Sequence, residues 1–238
     1  MVIRIINILA FVIMILVNYL ANALPLGGKT TGELSAQYPN LFVPAGITFS
    51  IWGVIYLLLL VFCIIQFREQ NRDMITDIGW LFVISSLLNS AWIFAWHYEN
   101  PGFSVVIMIL LLASLVVINQ RITPYSSILT KAAFGIYLGW ICIATIANIT
   151  AFLVAIDWGG WGLSDQFWAA IMVLAGTVIT ILVLRTYHNI FPGLAVIWAL
   201  AGIIIARWPD YLPVILAALV GIVIVAVFST LLFLRTLN

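Results

Sequence analysis

The chain has 238 residues, of which 65% are hydrophobic and 7% charged, and its formal net charge is +1. That leaves too little polar surface to face water on all sides, which excludes a soluble globular domain and defines an integral, multi-pass membrane protein. No nucleic-acid partner is expected.

Dividing the sequence at its charges gives apolar runs at roughly 5–23, 47–66, 78–96, 103–119, 133–154, 166–185, 191–206 and 211–234. Each approaches the ~20 residues that cross a ~30 Å hydrocarbon core as a helix. The expected fold is an all-α polytopic transmembrane bundle of about eight spans, the seventh being the shortest. A closed barrel would alternate with period two in ~10-residue strands, whereas these runs are continuous. The first run follows Arg4 and ends in "ANA" at 21–23, which resembles a signal-peptide cleavage site. Its apolar stretch is longer than a usual signal core, so it counts as the first span. Cys63 and Cys142 fall inside spans and read as small core hydrophobes.

An eight-span chain puts Arg4, Arg68, Arg72, Arg121, Lys131, Arg185 and Arg235 on one side and only Lys29 and Arg207 on the other. The positive-inside rule makes the first side cytoplasmic, with both termini on it, and the plasma (inner) membrane is the expected location. The outer side then collects Trp96, Tyr98, Trp158, Trp161, Trp168, Trp208 and Tyr211 as an aromatic belt.

With directions fixed, a rise of ~1.5 Å per residue converts position into depth. Asn18, Thr48, Ser50, Trp52, Asn89, Trp92, Thr145 and Asn148 all fall in the outer half of the membrane. On the fifth span Tyr137, Trp140, Ala144 and Asn148 are spaced by three and four, which makes one stripe with a small residue between larger ones. Such a stripe can wall a cavity; buried Asn side chains also tie helices together, by ~0.6–2 kcal/mol.

Three segments carry a specific resemblance: "PAGITFSIWGVIY" (44–56), "LLNSAW" (87–92) and "YLGWICIATIAN" (137–148). In order and placement they resemble segments of the translocator protein family, the TspO/MBR or tryptophan-rich sensory proteins, also called peripheral benzodiazepine receptors. The resemblance covers residues 1–154 and implies a five-helix bundle there, with 155–238 as three additional transmembrane helices. It implies a pocket among spans 1, 2, 3 and 5, capped by the loop at 24–46, for a porphyrin, a sterol or another aromatic molecule. Trp52, Asn89, Trp92, Tyr137, Trp140, Ala144 and Asn148 match family positions associated with that pocket. The chain departs from the family at Gly46 and Ile136, where Trp and Pro are usual, and its first loop holds no Trp. That last departure weighs against the porphyrin-degrading chemistry proposed for some members.

Other chemistry has little support. A proton- or cation-coupled pump needs ionisable groups within its spans, and every Asp, Glu, Lys and Arg here lies at a helix end or in a loop. Neither lysine reaches mid-membrane for a retinal Schiff base. His97 beside Trp96 and Tyr98 reads as interfacial rather than as a haem ligand. Ser164 has no neighbouring His, and no metal-binding motif occurs. The expectation is therefore a non-enzymatic receptor or translocator that binds a lipophilic small molecule. No cofactor is required, a porphyrin or haem is a candidate bound ligand, and the partners are membrane lipids and a second copy in a homodimer. Two alternatives stay open: a secondary transporter of a neutral lipophilic solute, rocking its last three helices against the first five, and a ligand-free scaffold whose motifs serve packing.

Overall fold

The computed structural model describes residues 1–24 and 28–235; residues 25–27 of the expected capping loop and the last three residues lie outside this description. Ten α-helices and no strand occur among the described residues. They are α1 (Val2–Ala23), α2 (Thr31–Ala36), α3 (Ile51–Ile65), α4 (Arg72–Ile78), α5 (Leu81–His97), α6 (Pro101–Ile122), α7 (Ile128–Ala155), α8 (Asp165–Tyr187), α9 (Phe191–Arg207) and α10 (Leu212–Arg235).

Among the described residues, six helices are long and apolar enough to span a membrane: α1, α3 together with the 3-10 turn Gly46–Ser50, α6, α7, α8 and α10. Taken as one span, the pair Glu69–Ile78 and Leu81–His97, which meets at 59°, makes a seventh. The apolar run at 78–96 corresponds to α5, and Gly79, at φ +55°, a backbone conformation costly for any residue with a Cβ, ends the charged α4 just ahead of it. The eighth expected span, α9, has 17 residues. Polar caps set several helix starts. Asn100 accepts the Phe103 N–H ahead of Pro101, and Ser164 accepts the Phe167 N–H.

The chain forms two compact units that interleave in sequence: Met1–Gln37 with Gly53–Phe134, and Tyr38–Trp52 with Gly135–Asn238. In the first, α5 packs on both α1 and α6, and α4 packs on α6. Phe62, Phe82 and Phe134 are fully buried, with ring centroids 4.9–5.9 Å apart. Polar ties sit inside this apolar packing. Asn7 Nδ2 donates to Gln66 Oε1 at 3.0 Å, and Asn119 Nδ2 donates to the carbonyls of Leu115 and Phe134. Near the α6–α7 turn, Tyr125 donates its phenolic proton to the Asp77 carboxylate, which pushes the Tyr125 pKa up to about 12.

In the second unit α8, α9 and α10 pack pairwise. Small residues bring their backbones together. A Cβ on Gly193 would lie 2.6 Å from Ser229 Oγ, and one on Gly221 would lie 2.6 Å from Thr177 Oγ1. Lipid tails are as apolar as leucine, so close packing of this kind replaces the hydrophobic drive that water supplies to soluble proteins.

Candidate functional site: a buried aromatic cluster

The stripe on α7 is real and faces inward. Tyr137, Trp140 and Asn148 are buried, and Ala144 is half-buried. The half-buried Trp52 ring sits edge-on to Tyr137 at 5.9 Å and to Trp140 at 6.2 Å, and Phe49 meets Trp140 at 5.8 Å. These separations suit the aromatic quadrupoles.

The segment carrying Phe49 and Trp52 is clamped onto α9. Arg207 Nη2 donates to the carbonyls of Asn40 and Val43 at 3.3 and 2.9 Å, while Asn40 Oδ1 accepts the N–H groups of Phe42 and Val43. Trp198 Nε1 donates to the Thr48 carbonyl at 2.8 Å, and the Ala45 N–H donates to the Gly202 carbonyl at 3.0 Å. Thr48 lies flat on Gly202, where a Cβ would come within 2.0 Å of its hydroxyl. On the other side of the cluster, Gly135 and Gly139 let α7 approach the start of α9: a Cβ on Gly139 would stand 2.3 Å from the Pro192 carbonyl oxygen.

The polar groups of α7 differ in how they are satisfied. Thr145 donates to the Ile141 carbonyl at 2.7 Å, an ordinary intrahelical bond. Trp140, 2% exposed, has an indole N–H that is buried with no hydrogen-bond partner. Leaving such a donor unpaired costs about 1–3 kcal/mol.

Asn89 and Trp92 belong to the other unit. Asn89 is buried and its Oδ1 accepts from Asn18 Nδ2 at 2.7 Å, tying α5 to α1. Trp92 stacks on Trp96 at 5.7 Å and 17°. Two residues read as interfacial are buried within the protein. Trp96 donates to the Thr31 carbonyl at 3.3 Å, and His97 Nε2 lies 3.1 Å from the Thr31 hydroxyl. The short helix α2 accounts for this, because it packs on α5 and covers both residues. A reciprocal cap holds its start, with Glu33 accepting from the Thr30 N–H and hydroxyl; those bonds hold the Glu33 carboxyl below its usual range. An exposed Lys29–Glu99 pair at 3.0 Å also joins this segment to the end of α5.

Sequence reasoning missed the clamp and the paired glycines. Gly135 and Gly139 are a small-xxx-small pair, a signal that was present to be read. Arg207 offered only the weaker hint of being one of two basic residues outside the cytoplasmic set.

The fold and this cluster together define a polytopic all-α membrane protein with a tryptophan-lined interior stripe. The chain belongs to the TSPO-like protein family, whose model matches residues 4–231. The match therefore continues through α8 and α9 into α10, past the segment that carries the motifs. No curated protein and no solved structure matches the chain.

Proposed function

We propose that this protein is a membrane receptor or translocator for a lipophilic, aromatic molecule of porphyrin or sterol type that carries a hydrogen-bond acceptor. The observation behind this reading is the unpaired N–H of Trp140 among Phe49, Trp52 and Tyr137. A ligand carbonyl or carboxylate there recovers the cost of the orphaned donor, and apolar burial against the rings supplies affinity. Asn148 and Ala144, further along the same stripe, set polarity and room. The clamped segment at 38–50 frames access from the outer side, under the topology given by the basic residues with both termini cytoplasmic. The reaction class is binding, with no enzymatic step and no resident cofactor.

Porphyrin quenching of tryptophan fluorescence in mild detergent tests the proposal, read as the titration midpoint. Saturable quenching is expected. Trp140→Phe, which keeps an aromatic ring and removes the donor, is expected to weaken the midpoint about tenfold. Trp80→Phe, which alters an exposed ring, is expected to leave it unchanged. Quenching that never saturates, or equal midpoints in the two variants, refutes the assignment.

A further inference from the structure

A cavity of about 370 Å³ opens where α7 ends and α8 begins, within the unit that holds the aromatic cluster. Its apolar wall includes Phe42, Leu153 and Met172, and its aromatic wall includes Trp158 and Trp168. Trp161, 80% exposed, stands behind that wall, 5.5 and 5.7 Å from the other two rings. The Trp168 indole N–H is committed to the Gly160 carbonyl at 2.8 Å, so its ring is fixed and offers no spare donor.

The other polar side chains of the lining are also engaged. Asn40 binds backbone groups of its own loop through both side-chain atoms, and Thr150 donates to the Ile146 carbonyl. What remains are two carboxylates, Asp157 and Asp165, and neither has an ion-pair partner among the described residues. The nearby guanidinium of Arg207 is turned to the Asn40 and Val43 carbonyls. The cavity therefore combines aromatic faces, an apolar floor and two solvent-exposed carboxylates that lack an ion-pair partner, one of them in the first turn of α8, with no basic residue in its lining.

From this juxtaposition we infer that the α7–α8 cavity binds an organic cation: a quaternary or tertiary ammonium group set against Trp158 and Trp168, countered by Asp157 and Asp165. Aromatic faces attract desolvated ammonium groups through the ring quadrupole, and carboxylates supply the counter-charge. A free lipophilic amine and the head group of a choline lipid both present this chemistry.

Isothermal titration of the full chain in a nonionic maltoside detergent tests the inference, with benzyltrimethylammonium as probe. Saturable binding is expected, at least about tenfold tighter than that of neopentylbenzene, the uncharged isostere. The double variant Asp157→Asn, Asp165→Asn removes both charges at nearly constant shape. Asn also tolerates the left-handed backbone of Asp157, at φ +51°. The variant is expected to bind the probe at least about tenfold more weakly at an unchanged melting temperature. Equal affinity for probe and isostere overturns the inference, as does unaltered binding by the double variant or the absence of saturable binding. The isostere comparison uses the unaltered chain and stands even where the variant does not fold. Displacement of the probe by glycerophosphocholine assigns the site to a lipid head group, and probe binding without displacement assigns it to a free amine.

Discussion

Replacing Gly139 by Ala puts one methyl group where α7 meets the start of α9. The new Cβ would sit 2.3 Å from the Pro192 carbonyl oxygen, 2.8 Å from its Cα and 2.9 Å from its carbonyl carbon, all backbone atoms. Ordinary contact begins at 3.4 Å, so the helix end must retreat by about 1.1 Å, the difference between 3.4 and 2.3. No side-chain rotation can relieve that clash. Overpacking of this kind costs about 1–3 kcal/mol, against a gain of up to about 1 kcal/mol from replacing glycine within a helix. A 2.3 Å approach to backbone sits in the upper part of that range, about 2–3 kcal/mol, so the clash wins by about 1–2 kcal/mol, which corresponds to a fall in melting temperature of roughly 2 to 8 °C for a chain of this size. Gly53→Ala in α3 is the control, because a Cβ there meets nothing within 4 Å and only the helix-propensity gain applies. Scanning fluorimetry of the three proteins in one detergent should rank Gly53→Ala at or above the native chain and Gly139→Ala below it. Gly139→Ala melting at or above the native temperature would refute the packing argument.

Further outcomes follow from the polar ties. Asn89→Leu should destabilise the unliganded protein by about 1 kcal/mol, read as a lower melting temperature, because the Asn18 amide loses its cross-helix partner between α1 and α5 and keeps only the Met14 carbonyl; an unchanged or higher melting temperature removes that role. Arg207→Met should speed proteolysis at residues 38–45, since the Asn40 and Val43 carbonyls lose their donor, and a cleavage rate equal to the native one counts against the clamp. The Glu33 pKa is depressed on folding, so its contribution to α2 is present above the ordinary carboxylate range and lost as pH falls through the folded value. Hydrogen-exchange protection of residues 31–36 should hold at pH 6 and drop on acidification in the native chain, but not in Glu33→Gln. The topology proposal places Gln70 in the cytoplasm: with Cys63 and Cys142 replaced, Gln70→Cys should resist an impermeant thiol reagent in intact cells and react after lysis, and labelling in intact cells inverts the assignment.

The apolar runs were legible because lipid tolerates only continuous hydrogen-bonded helix, and each run of the sequence corresponds to a helix or to the bent pair. The α7 stripe was legible for the same reason, since a three-four spacing places Tyr137, Trp140 and Asn148 on one face whatever surrounds them. Depth alone brought Asn18 and Asn89 to one level, and the structure joins them. What the sequence did not carry was long-range. The bend at Gly79 depends on a backbone angle, and hydropathy is blind to it. Burial of Trp96 and His97 depends on α2, six residues with no apolar periodicity to announce them. The clamp on residues 38–50 depends on donors 150 or more positions away, and no local pattern encodes that distance.

That separation has a consequence for how the protein is made. Trp198, which fastens Thr48, leaves the ribosome 150 residues after it. At about 5–20 residues per second the segment at 38–50 exists for roughly 8 to 30 seconds before its anchor is synthesised. During that interval Phe49 and Trp52 have no α9 to hold them, so a nascent chain stopped after the fifth span carries the motifs without the scaffold that positions them. Translation therefore completes the aromatic cluster from its far end, and a premature stop in α9 leaves residues encoded in the first quarter of the message without their anchor.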